Sequence, residues 1–120
     1  LHKRPTVLDW GEHDYRQYIY IDDAVSALLA ALERRKLPRS VYNVSGEAGY
    51  VSIAQVAEAV RSVLPEAQIQ LGPGPDMNDA PRGAFDISAA KQDLGFAPRY
   101  SLVEGISVYT RWLREQSLAN

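Results

Sequence analysis

The sequence predicts a small mixed α/β fold with short strands and about four helices. Three observations carry that prediction. Side chains alternate with period two from Arg16 to Ile21 and again from Gln68 to Leu71, the spacing of a strand with one buried face. Apolar residues recur at helical spacing in separate segments. Ser–x–x–Gln and Ser–x–x–Glu pairs stand ahead of two of those segments, where helices start.

Thr6-Val7-Leu8 reads as a first strand. In the second, Arg16, Tyr18 and Tyr20 share one face, and Gln17, Ile19 and Ile21 share the other. Asp22 and Asp23 interrupt it, and an Asp accepts hydrogen bonds from the unpaired N–H groups of a first helical turn. Val25, Leu28, Leu29 and Leu32 then form a helical stripe. The run Glu33-Arg34-Arg35-Lys36 suits the negative end of the helix dipole, and Pro38 closes the segment.

Val41 to Val44 reads as a short buried strand, followed by a turn over Ser45-Gly46-Glu47-Ala48-Gly49. Ser52 and Gln55 have capping-box spacing, and Ile53, Val56, Ala57, Val60, Val63 and Leu64 make the stripe of a second helix that ends at Pro65. Gln68 to Leu71 is an edge strand. Gly72 to Ala84 is rich in Gly and Pro, carries Asp76 and Asp79 and has no period; loops this long are usually functional or disordered. Asp86 or Ser88 caps a short helix through Leu94, with Gly95 as its stop. Ser101 and Glu104 open the last helix, whose face carries Leu102, Ile106, Tyr109, Trp112 and Leu113 as packing residues.

Composition narrows the function classes. Apolar residues make up 46% and charged residues 23% of the 120-residue chain, ordinary values for one globular domain. The net charge of -2 speaks against a general nucleic-acid surface. Without cysteine there is no disulfide, thiolate nucleophile or thiolate metal site. With only His2 and His13, a histidine-rich metal centre is not expected either. No stretch has the roughly 18 apolar residues that span a bilayer, and no basic-then-apolar signal segment opens the chain, so a cytoplasmic location is expected. Leu1 in place of Met, with a strand close behind it, suggests a piece of a longer chain.

No catalytic set is legible. There is no GxSxG, Walker or HExxH motif, and no Gly-rich strand–turn–helix that holds a dinucleotide. None of the seven tyrosines has a Lys four residues later, the spacing that would lower a phenol pKa for proton transfer. What remains is a pattern for binding anions. Arg16 opens a strand that runs into an acid-capped helix, and Arg82 lies in the Gly/Pro loop. A planar guanidinium holds two phosphate oxygens at once, and Gly allows close backbone approach. The competing explanations are a strand-end ion pair with Asp14 or Asp22 for Arg16, and a solvated loop charge for Arg82. Tyr18, Tyr20 and Tyr50 are candidates to stack on a base or sugar, with packing as the simpler role for Tyr18 and Tyr20.

The order of segments resembles a known family. Arg16-Gln17-Tyr18-Ile19-Tyr20-Ile21-Asp22-Asp23 resembles the R-x-F/Y-I/V-H/Y-V-x-D segment of extended short-chain dehydrogenases, the NAD(P)-dependent nucleotide-sugar epimerase/dehydratase family. Tyr42-Asn43-Val44-Ser45-Gly46-Glu47 is similar to that family's Y-N-V/I-G-x-G-E strand and turn. Ser52 to Ala57 resembles the helix that follows, and Arg82 to Pro98 resembles the R-x-x-x-D-x-S-K-A…LGW-x-P segment. Ser101 to Trp112 resembles the closing S-L-x-E-G-I helix. Three positions depart from the pattern: Ser45 stands where Gly is usual, Ala89 where Lys is usual, and Phe96 where Trp is commoner.

The resemblance implies that residues 1–120 are the C-terminal, substrate-binding portion of such an enzyme, with the Rossmann half absent. The whole enzyme would be an epimerase, dehydratase or reductase that uses NAD or NADP, and this chain would hold no cofactor, metal or catalytic residue. It also implies that Arg16 contacts a substrate diphosphate, with Arg82 near a second phosphate-contacting Arg. The expected partner is a nucleotide-sugar-like small molecule or a related hydroxy or keto compound, with no nucleic acid and no membrane. Self-association through surface that the other half would cover is expected as well. The alternative is a free-standing binding or interaction module that has lost the chemistry.

Overall fold

The computed structural model of the chain describes residues 4–77 and 83–118. The order of elements is β1 (Thr6–Gly11), β2 (Tyr15–Gln17), α1 (Ile21–Leu32), β3 (Tyr50–Ser52), α2 (Ile53–Val63), β4 (Ile69–Gly72), α3 (Ser88–Leu94) and α4 (Leu102–Leu118). Four helices and short strands match the predicted class. The strands make two small sheets: β1 pairs parallel with β4, and β2 pairs antiparallel with β3.

The cap signals located the helices. Ser52 and Gln55 form the reciprocal box at the start of α2, with Gln55 N–H donating to Ser52 Oγ at 3.1 Å and Ser52 N–H donating to Gln55 Oε1 at 2.8 Å. Ser101 and Glu104 do the same ahead of α4, at 2.9 and 3.3 Å. Neither Asp86 nor Ser88 takes the N-cap position of α3, which falls on Ile87 without a side-chain cap bond; Asp86 Oδ1 instead accepts from the N–H of Ser88, the first helical residue, at 2.8 Å. Gly95 ends α3 with φ of 68°, a left-handed conformation that suits glycine best.

Two expectations about strands need correction. The ladder of β2 stops at Gln17, and Tyr18 to Tyr20 continues extended without strand pairing before α1 begins at Ile21. β3 is only three residues long, so there is no partner for a longer ladder. Val41 to Val44 forms no strand, and Val41 is 74% exposed. A strand needs a neighbour to receive its N–H and C=O groups, and none of the described segments pairs there.

The core is small. Ala27 of α1 packs with Ala90 and Leu94 of α3 and with Phe96, flanked by Ile19, Tyr42 and Val44. The predicted stripe of α1 points mostly outward, with Leu28 66% and Leu32 80% exposed. On α4, Tyr109 and Trp112 are half-exposed and stack on each other at 5.9 Å, so they are not the buried packing residues their spacing suggested. The radius of gyration is 16.8 Å, against about 13–14 Å for a tightly packed domain of this length. No helix among the described residues is long and apolar enough to cross a membrane.

Candidate functional site

Arg16 sits in the middle of β2, paired with Val51 of β3. Its side chain is partly buried. Nη1 donates to the carbonyl of Tyr15 at 2.7 Å, and Nη2 donates to Asp76 Oδ2 at 2.8 Å. The ion pair expected with Asp14 or Asp22 is therefore made with Asp76, whose side chain is 12% exposed. Asp14 takes part indirectly: its Oδ2 accepts the Asp76 N–H at 3.2 Å. One guanidinium thus faces one carboxylate directly, with a second carboxylate tied behind it.

Gln17, next along β2, bonds on two sides. Its Nε2 donates to Ser45 Oγ at 3.0 Å, and its Oε1 accepts Phe85 N–H at 2.6 Å. Ser45 is buried, which gives the departure from glycine at this position a structural use. The Gly/Pro loop that follows β4 is therefore held to β2 at Arg16, through Asp76, and the chain just past the loop is held to β2 again at Gln17, through Phe85. Arg82, the second predicted phosphate contact, lies outside the described residues, as does Asp79.

The turn after Val44 meets the same extended run. Gly46 N–H donates to Tyr18 C=O at 2.9 Å, and a Cβ on Gly46 would lie 2.5 Å from that oxygen. Only glycine allows this approach without a shift. Gly105 of α4 lies against the Tyr20 ring, where an added Cβ would meet Cδ2 at 3.4 Å. Between these contacts lies a cavity of about 330 Å³, lined by Tyr18, Tyr20, Val51, Tyr100, Ile106 and Tyr109 among others. Tyr20 leans on Tyr100, with ring centroids 4.5 Å apart. Burial pushes the Tyr18 phenol above its ordinary pKa, and the nearby Arg16 charge pulls the other way. Tyr50, the third aromatic candidate, stacks on Tyr15 at 5.3 Å.

Asp23 is the residue whose role sequence reasoning missed. It was expected to cap its own helix. Instead its fully buried carboxylate accepts N–H groups from Arg99 (3.0 and 3.1 Å) and Tyr100 (3.1 Å), far along the chain, while Tyr20 at the N-cap position makes no side-chain cap bond. Arg99 Nε lies 3.7 Å away. The neighbouring Asp22 accepts the Tyr100 hydroxyl at 3.2 Å. A buried carboxylate needs donors, but nothing local in the sequence says which segment supplies them. Among the described residues no His, Cys, Asp and Glu group is arranged to hold a metal.

No family model matches the chain. It is 35% identical over 111 residues to dTDP-4-dehydro-6-deoxy-D-allose reductase of Streptomyces bikiniensis, covering 90% of this chain and 32% of that protein. Among solved structures, it is similar to an L-threonine dehydrogenase from Cupriavidus necator in its apo form, with a TM-score of 0.75 and 29% identity over 92% of this chain and 41% of the other. It is also similar to UDP-glucose 4-epimerase of Thermotoga maritima with UDP-glucose, with a TM-score of 0.78 and 25% identity over 92% of this chain and 35% of the other. The chain spans between a quarter and a third of the length of the curated relatives it matches.

Proposed function

We propose that this chain, which belongs to the extended short-chain dehydrogenases and matches the C-terminal part of their fold, serves as the substrate-gripping portion of an NAD(P)-dependent epimerase, dehydratase or reductase. The substrate is a nucleotide-sugar or a related hydroxy or keto compound. Hydride and proton transfer belong to residues outside this chain, which on its own binds no dinucleotide and turns nothing over.

The observation that supports this best is Arg16. Its guanidinium is partly buried at the middle of a strand, held by a backbone carbonyl, and stands at the head of the run that lines the tyrosine-rich cavity. Guanidinium groups fixed in this way suit phosphate oxygens. Arg82 is the second proposed contact, and relatives of this chain act on dTDP- and UDP-linked sugars. The test is titration calorimetry on the purified chain with NAD and with UDP-glucose. Binding of UDP-glucose without NAD is the expected result. Stoichiometric NAD binding would overturn the division of labour.

One observation favours a second reading. Arg16 beside Asp76 also suits a small substrate with both a carboxylate and an ammonium group, and one structural relative is an L-threonine dehydrogenase. Titration with L-threonine separates the two.

A further inference from the structure

Resting on the reading of Arg16 as an anion grip, we infer that Gln17 is a positioning residue for it: a side-chain clamp on the back of β2 that fixes where the strand holds the guanidinium. Successive side chains of a strand point to opposite faces, so Gln17 works on the face away from Arg16. Its amide has one orientation that satisfies both partners. The Phe85 N–H can only donate, so it takes Oε1 at 2.6 Å, and Nε2 is left to donate to Ser45 Oγ at 3.0 Å. The two partners come from different parts of the chain: Ser45 from the turn after Val44, and Phe85 from the segment that leads into α3. Ser45 is buried, where the loss of a partner is felt most. The same turn holds the next residue of the run as well, because Gly46 N–H donates to Tyr18 C=O at 2.9 Å.

Two links carry the clamp to the guanidinium. β2 and β3 pair over three residues each, and a two-stranded pairing of that size is marginal by itself, so the strand needs a further hold. Arg16 Nη1 donates to the Tyr15 carbonyl of the same strand at 2.7 Å, so the guanidinium moves with the β2 main chain. A guanidinium donates in fixed, planar directions, and its contacts with an anion are sensitive to a shift of the strand; an ammonium on a flexible stem re-aims its donors. Gln17 is uncharged, so it acts on an anion through the place of Arg16 and not through attraction.

The test is titration calorimetry of the purified chain with inorganic pyrophosphate, with circular dichroism as the check of folding. Gln17→Leu, close in size but without either bond, is expected to weaken pyrophosphate binding about fivefold, the worth of one ordinary hydrogen bond. The deciding readout is the same change combined with Arg16→Lys, which keeps the charge but not the planar donors. In that background Gln17→Leu should move the affinity by less than about twofold, whereas a merely structural role would weaken binding alike in both backgrounds. Ser45→Ala, which removes one of the two clamp bonds, should follow the same pattern with a smaller loss, and it decides the matter should Gln17→Leu not fold. Equal losses in the two backgrounds overturn the positioning role and leave the grip standing. So does unchanged affinity in Gln17→Leu and Ser45→Ala while Arg16→Ala weakens binding. No effect of Arg16→Ala overturns the grip and the inference with it.

Discussion

Replacing Asp23 should cost more stability than any other single change at an acidic residue of this chain. The carboxylate is fully buried and accepts the backbone N–H groups of Arg99 and Tyr100 at 3.0 to 3.1 Å. Asp23→Ala leaves both donors without their acceptor, and each unsatisfied buried donor costs roughly 1–3 kcal/mol. Arg99 is an exposed residue, so water can partly replace the lost acceptor there, and the sum settles near 3 kcal/mol. The Arg99 side chain adds little: at 3.7 Å and 66% exposed, it is a surface partner. Asp23→Asn keeps the shape and one carbonyl oxygen but turns an amide N–H₂ toward a donor, so about half of that loss is expected. The assay is urea unfolding at 25 °C followed by circular dichroism, read as the shift in midpoint at constant slope. Asp22→Ala is the control, because Asp22 is exposed and accepts the Tyr100 hydroxyl at the surface; it should change stability by no more than about 0.5 kcal/mol. An Asp23→Ala loss below about 1 kcal/mol, or equal effects at Asp22 and Asp23, would refute the idea that Asp23 ties α1 to the segment ahead of α4.

Gly46→Ala should destabilise the chain by about 1–3 kcal/mol in the same assay, because the new Cβ lies 2.5 Å from the Tyr18 carbonyl oxygen and the turn must move; a neutral result would mean the turn is not held against Tyr18. Ser52→Ala should cost about 1 kcal/mol by removing half of the α2 capping box. Hydrogen bonds from Ser101 hold the Glu104 carboxyl below its ordinary pKa. Its contribution to stability is therefore present above the unfolded-state value, about 4.3, and lost as pH falls through the lower folded-state value; Glu104→Gln should flatten that acid limb, seen as a smaller change in urea midpoint between pH 6 and pH 3. The outward stripe of α1 should make the chain self-associate, and Leu28→Glu with Leu32→Glu should shift it toward monomer in light scattering; a wild-type monomer at high concentration would remove this expectation.

Features that depend on a few adjacent residues were legible in the sequence. Both capping boxes and the Gly95 stop rest on contacts within one helical turn, so spacing alone reports them. Features that depend on a distant partner were not. Val41 to Val44 has the composition of a short buried strand, but a strand is a relation between two segments and no described segment answers it. The stripe on α1 was read correctly as helical, while its exposure depends on what packs there. The place of Arg16 at the head of the motif is legible, but its partner Asp76 lies across the fold, where proximity in sequence points to Asp14 and Asp22. Asp23 was assigned the local role that its position at a helix start suggests, and the donors from Arg99 and Tyr100 have no local signal at all.

These two residues explain why the motif behaves as a unit. Arg16 stands at the start of one extended run and Asp23 in the helical turn that follows its end, and each is held by a different later part of the chain. Asp23 anchors the run to the segment that leads into α4, and Gly105 lets α4 lie close against Tyr20 within it. Arg16 holds Asp76 within the Gly/Pro loop, and Gln17 holds Phe85 just past it. A shift of the run would therefore move the guanidinium, the cavity wall and both attachments of the loop together. Under this arrangement the buried carboxylate supplies rigidity at one end, and the other end carries the proposed grip. Stability and the proposed substrate grip should then separate by mutation: Asp23 variants should lose unfolding free energy first, and Arg16 variants should change ligand affinity while the fold persists.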